Sequence, residues 1–319
     1  MTQIPNEKIE NLHVELRREY NLSRSSYFQT GPKLNYAFFP SSVDEFIETY
    51  LILNDLNLNF QVFGATSNCI FKDDSSLRIA IFTRKIKNIK ILNNSIEVDS
   101  GVMLPGFCNK MAKGSYAGFE ELQGIPGSIG GAIYMNAGCF GNEISRHLIS
   151  VKVLKKNGSV EIIKKEDCRF GYRNSVFHSK DFLILSATFE KIIGDKKFLT
   201  KRISDLHIYR HNILEYDYRN VGSVFVTHDI YADLAKQSKL FKYCIFFLRV
   251  FFYRIFRIKN NRILNFLAVK IFHLEKFKKI FSIKTMNVLI NSGQDTKLIE
   301  EYINRISRLT GNRSEIELY

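Results

Sequence analysis

The chain has 319 residues, enough for about two domains. Its 45% hydrophobic and 24% charged content is that of a globular protein and excludes an intrinsically disordered chain. Lys and Arg number 46 against 32 Asp and Glu, a net charge of +14 that points to nucleic acid, an anionic membrane surface or a phosphorylated small molecule.

In chain order, residues 1–24 read as a short helix and a polar connector. The opening MTQIPNEKIENLHVELRREY has no apolar core, so no secretory signal is expected. Val43–Asn57 has helical spacing of apolar residues, with Ser41-Ser42 as its N-cap. Phe60–Phe63, Leu77–Phe82 and Ile96–Val98 read as strands, and Leu104–Lys113 as a helix. A glycine-rich stretch, Gly118–Gly141, follows. Ile149–Leu154 and Val160–Ile163 alternate about Asn157-Gly158, a hairpin signal, and Leu183–Glu190 is a further strand. Beyond residue 195 the pattern turns helical, at Lys197–Tyr209 and again at Thr296–Leu309. The expected organisation is an N-terminal segment to residue 24, a mixed domain over 25–194 and a C-terminal domain over 195–319.

The five cysteines are odd in number and form no C-x-x-C, which reads as reduced thiols rather than a disulfide framework or a zinc site. His207 and His211 share a helix face. Ile208 stands where a zinc protease needs Glu and no third ligand is evident, so no metal is expected. The basic excess is local. Residues 239–281 hold eleven Lys or Arg and one acid, Glu275, a local charge of +10 that leaves about +4 elsewhere. Ten of the 27 Phe lie in the same window, so aromatic and basic residues are enriched together. Phe241, Ile245, Leu248, Phe252, Ile255 and Phe256 fit one helical face, with Lys242, Arg249 and Arg254 beside it and Asn260-Asn261 as a break. A second run holds Ile263, Leu264, Phe266, Leu267, Val269, Ile271 and Phe272. One reading makes these Phe residues a domain core with solvated bases; another makes them a surface for an anionic membrane or a membrane enzyme. Nucleic acid is not expected, because the aromatics cluster as Phe-Phe pairs and no nucleic-acid motif is present. The longest uncharged stretch in the second run, Ile263–Val269, falls far short of the roughly 20 residues that span a bilayer. The expected location is cytoplasmic, with a peripheral contact to the inner membrane face as the second expectation.

Gly118–Gly141 contains seven glycines. Glycine lets backbone N–H groups approach a phosphate closely and accepts positive φ. Gly-Gly alone reads equally as a tight turn, and no G-x-G-x-x-G opens a helix here, so a Rossmann site is not supported. Residues and spacing alone lead to a backbone cradle for a phosphorylated ligand.

The run GIPGSIGGAIYMNAG (124–138) closely resembles the flavin-binding core of the UDP-N-acetylenolpyruvoylglucosamine reductases. Four further segments follow that family in register: Gly64-Ala65-Thr66-Ser67-Asn68, Phe170–Phe177 (F-G-Y-R-N-S-V-F), Gly222-Ser223-Val224-Phe225 and Glu315-Ile316-Glu317-Leu318. The resemblance covers about residues 28–235 and 282–318. It implies an α+β fold: a two-subdomain FAD-binding fold of the vanillyl-alcohol-oxidase (PCMH) type, then a smaller, remodelled α/β substrate domain. It implies FAD and NADPH as cofactors and a nucleotide-sugar substrate whose enolpyruvyl ether is reduced to a lactyl ether. FAD contacts fall to Gly64, Ala65, Thr66, Ser67 and Asn68, and to Gly124, Ile125, Pro126, Gly127, Ser128, Gly130, Gly131, Asn136, Ala137 and Gly138. Substrate contacts fall to Tyr172, Arg210 and Asn291.

Reduction at the terminal carbon leaves an enolate-like centre that needs a proton and charge stabilisation. The resemblance gives the proton to Ser223, polarisation of the substrate carboxylate to Arg173 and a second stabilising role to Glu317. On spacing alone these read as a turn serine, a strand-end ion pair and a solvated chain-end carboxylate. The chain departs from the family at five places. After Ala235 the family's G-x-x-G-x-x-x-G-G pattern is missing, and residues 239–281 replace and extend a family segment. Thr66 replaces a glycine. Phe225-Val226-Thr227-His228 replaces F-K-N-P. Leu214-Glu215 stands where Gln-Pro is common. Thr285–Asn291 occupies the H-A-N-F position without the His. Those departures keep open a paralogue making a different lactyl-ether sugar for a surface polysaccharide, and a catalytically degenerate, membrane-associated flavoprotein.

Overall fold

A computed structural model describes residues 8–9, 12–213, 215, 218–252 and 261–319, with the side chains of 212, 213, 251 and 252 outside the description. The chain forms two compact units: Met1–Asn21, Lys33–Thr66 and Ser76–Arg210 in the first, Leu22–Pro32, Ser67–Ser75 and His211–Tyr319 in the second. The boundary expected near residue 195 can be set beside this division at Arg210. The Lys196–Ile213 helix begins in the first unit because Leu199 and Ile203 pack with Ala112 there.

The first unit contains two sheets. In one, the strands Glu15–Asn21, Lys33–Phe39, Ile79–Phe82 and Gln61–Phe63 lie in that order. The first pair is antiparallel and the others are parallel, with Tyr36 opposite Ile79 and Val62 opposite Ile81. Glu15–Asn21 corrects the N-terminal reading, since this segment is a strand and only Leu22–Ser25 after it is helical. Its three consecutive charges, Arg17, Arg18 and Glu19, sit on an edge strand with water within reach, where Lys and Arg are favoured. Of the expected N-terminal helix before residue 12, only Lys8 and Ile9 are among the described residues. The Val43–Asp55 helix starts as the sequence predicts: Ser42 caps it by accepting from the Glu45 N–H. Its buried face, Phe46, Tyr50 and Leu53, packs with Phe38, Ile79 and Ile81.

The second sheet is antiparallel throughout, in the order Val160–Lys164, Leu148–Lys155, Phe182–Glu190, Ser95–Asp99, Ile89–Ile91. The Asn157-Gly158 turn joins its first two strands, with Gly158 at φ +86°. The Leu104–Lys113 helix matches its predicted bounds. Leu104, Phe107, Cys108 and Met111, spaced i, i+3, i+4, i+7, form its buried face, and Gly114 ends it. Phe119 joins Phe107 edge-on at 4.8 Å and Phe189 at 5.5 Å. Each buried Phe contributes about 1.5–3 kcal/mol. This core fixes the starting point of the glycine-rich stretch.

The second unit is built on the small antiparallel sheet Asn220–Ser223, Thr285–Ile290, Phe281–Ser282. The Thr296–Thr310 helix buries Ile299, Tyr302, Ile303 and Ile306 against it. The fully buried Tyr302 ring lies 5.6 Å from Phe281, and its hydroxyl donates to the Met286 carbonyl at 2.6 Å. The two early segments belong here because Phe28 and Ile70 are core residues of this unit. Glu317–Leu318 pairs in parallel with Cys69–Ile70, and Tyr319 stacks on Phe71.

The basic window divides between the sequence's two readings. Phe241, Phe272, Phe277 and Phe281 are buried in the core of this unit, whereas Phe246, Phe247 and Phe266 are exposed. Arg254, Ile255, Phe256 and Asn260, and the side chain of Phe252, lie outside the described residues; Asn261 opens the Asn261–Ile271 helix. All five cysteines are free thiols. Burial raises the Cys108 thiol far above its ordinary range and pushes Cys168 up to about 12, so neither is a ready thiolate nucleophile.

Candidate functional site

The glycine-rich stretch is threaded through the first unit by backbone bonds that a side chain would obstruct. Ser128 caps the short Ile129–Tyr134 helix by accepting from the Gly131 N–H, while Gly130 N–H donates to the Ser100 carbonyl at 2.8 Å. A Cβ on Gly64 would lie 2.3 Å from the Ser128 hydroxyl oxygen, and one on Gly130 would lie 2.9 Å from the Ser100 Cβ. Gly64 therefore lets its loop close on Ser128, and Gly130 lets Ser100 approach the short helix. Gly124 and Gly127 hold φ of +87° and +140°, left-handed turns that suit glycine.

Polar atoms in this region are buried without partners. Asn136 is fully buried; its amide nitrogen donates to Glu143 at 2.9 Å and to the Gly171 carbonyl at 3.0 Å, and its Oδ1 is unsatisfied. Ser100 Oγ and Gln123 Oε1 are also unsatisfied. An orphaned buried polar group costs about 1–3 kcal/mol, so three near one glycine-rich stretch fit a ligand rich in hydrogen-bonding groups, as FAD is. Asn136 was among the residues expected from sequence. Ser100 and Gln123 were not, since a lone serine after a strand and a glutamine in a turn carry no motif.

Thr66 holds a left-handed backbone, at φ +57°, and is nearly buried. A β-branched residue there is strained, by about 1–3 kcal/mol. Thr66→Gly relieves that strain at some cost in unfolded-chain entropy. The expected net result is about 1 kcal/mol of added stability, read as a higher thermal midpoint of the FAD-saturated protein. An unchanged or lower midpoint would show the threonine to be held by contacts worth more than its strain.

Arg173 also lies in the first unit and is left-handed, at φ +51°, in a tight turn closed by Gly171 and Asn174. Its guanidinium donates to the Gly138 carbonyl at 2.8 Å and to the Asn136 carbonyl at 3.4 Å, and lies 4.9 Å over the Tyr172 ring. The F-G-Y-R segment is thereby tied to the end of the glycine-rich stretch, and Tyr172 itself is exposed. Arg210 is 4% exposed. It donates to the Glu121 carbonyl, stacks 5.0 Å over Phe140 and leaves Nε unsatisfied. Among the FAD candidates, Gly64, Ala65 and Thr66 and the whole 124–138 run lie in this unit, whereas Ser67 and Asn68 lie in the second.

The second unit brings the remaining motifs together. Ser223 ends the Asn220–Ser223 strand opposite Val288. It is exposed, and among the described residues its hydroxyl has no hydrogen-bond partner. The next two residues are clamped by Asn287. Its Oδ1 accepts from Phe225 N–H at 2.8 Å and Val224 N–H at 3.3 Å, and its Nδ2 donates to the Phe225 carbonyl at 3.3 Å. On the other side, Glu315 N–H donates to the Val224 carbonyl at 2.8 Å, and Phe225 bridges Ser314. Asn68 closes the arrangement: its amide donates to the Glu315 carbonyl at 2.6 Å and its carbonyl accepts from the Glu317 N–H at 3.0 Å. G-S-V-F, the E-x-E terminus and Asn68 are thus one hydrogen-bonded constellation. Arg173 belongs to the other unit and is described within it.

Asn287, within the Thr285–Asn291 segment, is a residue to which the sequence reading gave no task. Asn291 is engaged in the framework. Its amide donates to the Phe28 carbonyl at 2.7 Å and the Gln29 carbonyl at 3.2 Å, and its Oδ1 accepts from Gly293 N–H. The departures have structural counterparts. Val226, where a lysine is usual, uses its N–H to hold the Arg313 carbonyl, and Glu215 is buried and accepts from Ser282 at 2.8 Å. Leu214 lies outside the described residues.

Residues 35–164 match an FAD binding domain family. Over 211 residues the chain is 33% identical to a UDP-N-acetylenolpyruvoylglucosamine reductase of Clostridium beijerinckii, covering 66% of this chain and 69% of that one. Over 204 residues it is 33% identical to the enzyme of that name from Lactococcus lactis, covering 64% and 68%. The crystal structure of UDP-N-acetylenolpyruvylglucosamine reductase from Thermus caldophilus shares the fold. Its TM-score is 0.68 at 19% identity, over 96% of this chain and 99% of that one.

Proposed function

The chain belongs to the UDP-N-acetylenolpyruvoylglucosamine reductase family of FAD-dependent oxidoreductases, with its PCMH-type α+β fold, and from that premise we propose that it reduces UDP-N-acetylglucosamine enolpyruvate to UDP-N-acetylmuramate, using NADPH, in peptidoglycan synthesis. The observation that carries the reading is the clamped Gly222–Phe225 segment, which presents an uncommitted Ser223 hydroxyl beside the hydrogen-bonded Glu315–Glu317 terminus.

FAD, when bound, supplies the two-electron redox chemistry. Within the first unit, Gly64, Ala65 and Thr66, with the 124–138 run and its Asn136, would hold it, and Ser100 and Gln123 would add buried acceptors. The protein's own task is to position the sugar nucleotide and manage one proton. Ser223 Oγ–H donates that proton to the enolate-like carbon. Being a weak acid, the hydroxyl must be held in place, and Asn287 and Glu315 supply the rigidity by fixing the next residue on both sides. Arg173 offers a guanidinium whose plane is set by Tyr172 and the Gly138 carbonyl, suited to the substrate carboxylate. Glu317, two residues beyond the bond to Val224, is the second stabilising group. Tyr172, Arg210 and Asn291 serve the sugar nucleotide, Arg210 and Asn291 by shaping its surroundings through their carbonyl contacts.

Purified protein should oxidise NADPH slowly alone and rapidly with UDP-N-acetylglucosamine enolpyruvate. Flavin reduction without substrate-dependent turnover would overturn the assigned substrate. One set of observations favours a second reading, a paralogue acting on a different enolpyruvyl sugar: Thr285, Val226 and the 239–281 window replace family residues throughout the second unit. Under that reading flavin reduction by NADPH persists, and turnover appears only with another enolpyruvyl nucleotide sugar.

A further inference from the structure

We propose that the outer faces of the Lys239–Phe247 and Asn261–Ile271 helices form a docking surface for an anionic lipid bilayer. Ser238 caps the first helix, accepting from the Phe241 N–H. At 3.6 residues per turn this helix has three sectors. Phe241 and Ile245 form the buried one, and Phe241 meets Phe272, next after the second helix, edge-on at 5.3 Å. Lys239 and Lys242 form a basic sector. Leu240, Tyr243 and Phe247 form the third, and Phe246 lies within the basic sector, between Lys239 and Lys242; Leu240 is 62% exposed, Tyr243 72%, Phe246 66% and Phe247 56%. A helix that only completed a core would show solvent a polar third sector. The second helix repeats the plan. Leu264 and Ala268 are buried, while Ile263 and Phe266 are exposed between Arg262 and Lys270.

Charge names the occupant. The window carries +10 with Glu275 as its one acid, and among the described residues Lys239, Lys242, Lys278 and Lys279 make no ion pair. Exposed aromatic and aliphatic side chains between lysines match the headgroup and acyl boundary of an anionic bilayer. A nucleic acid would use the lysines and leave Leu240 and Ile263 in water. Among the described residues no helix is long and apolar enough to cross a membrane, so the contact is peripheral. This surface is independent of the reaction assigned above.

The test is flotation of the FAD-loaded full chain with vesicles of phosphatidylglycerol and phosphatidylcholine, against phosphatidylcholine alone, at physiological salt. The expected result is binding to the anionic vesicles, weakened about 25-fold by Lys239→Ala with Lys242→Ala, at roughly fivefold per lysine. Phe246→Ser with Phe247→Ser should abolish it while leaving FAD content and vesicle-free turnover unchanged. Absence of flotation, equal flotation on neutral vesicles, or flotation unaffected by either double variant would overturn the proposal. So would a concentration-dependent dimer that Phe246→Ser removes, or retention on polyuridylate that anionic vesicles do not compete away.

Discussion

Ser223→Ala should leave reduction of the flavin by NADPH at the wild-type rate and slow reduction of the enolpyruvyl sugar by about 10²- to 10⁴-fold, the range for loss of a positioned general acid. The separation arises because the hydroxyl is the only thing removed. Ser223 is exposed at a strand end, so the truncation opens no cavity. The neighbouring backbone keeps its bonds to Asn287 and Glu315, so the strand stays in register. Ser223→Cys, which restores a proton on a longer arm, should recover part of the second half-reaction and none of the first. Stopped-flow traces of the two half-reactions at the flavin absorbance read this directly. Equal loss in both would mean that the serine shapes the flavin site, and no loss in either would remove Ser223 from the chemistry.

The second large effect is expected at Asn287. Asn287→Ala strips the acceptor from Phe225 N–H and a donor from its carbonyl, and Phe225 is 1% exposed. Leaving those groups unsatisfied should cost about 2–3 kcal/mol of stability. The Asn287 main-chain carbonyl still accepts from Val224 N–H at 2.8 Å, so the strand remains paired but loses its second anchor. Turnover should fall more than substrate affinity, because the anchor fixes the serine's neighbours rather than the sugar. Asn287→Asp keeps the acceptor and places a carboxylate beside the Phe225 carbonyl, so it should rescue less of the stability than the loss of one donor implies. Denaturant unfolding with steady-state kinetics on both variants separates the two effects. A kcat unchanged despite lost stability would reduce Asn287 to a framework residue.

Much of this architecture follows from local chemistry. The Leu104–Lys113 helix is set by its i, i+3, i+4, i+7 apolar face and the glycine after it, and the 148–164 hairpin by Asn157-Gly158. Glu15–Asn21 misleads because an edge strand with a run of charges lacks the alternation that marks a half-buried one. The basic window is ambiguous for a similar reason. Its helices are apolar on two sectors, and only the packing of Phe241 and Phe272 decides which sector is core. The site divides along the same line. Ordered glycine, serine and arginine motifs expose Gly64, Ser128, Arg173 and Ser223 in the sequence. Asn287 and Asn68 act through carboxamides that reach across strands, and no spacing rule encodes that. Asn291 shows the converse: a residue carried over as a substrate contact spends its amide on the Phe28 and Gln29 carbonyls.

The most direct test of the central claim is mass spectrometry of the nucleotide sugar after incubation with the FAD-loaded protein, NADPH and UDP-N-acetylglucosamine enolpyruvate. The product should be heavier by two hydrogen atoms, and in heavy water the carbon protonated through Ser223 should carry deuterium. Recovery of unchanged substrate while NADPH reduces the flavin would contradict the assigned reaction.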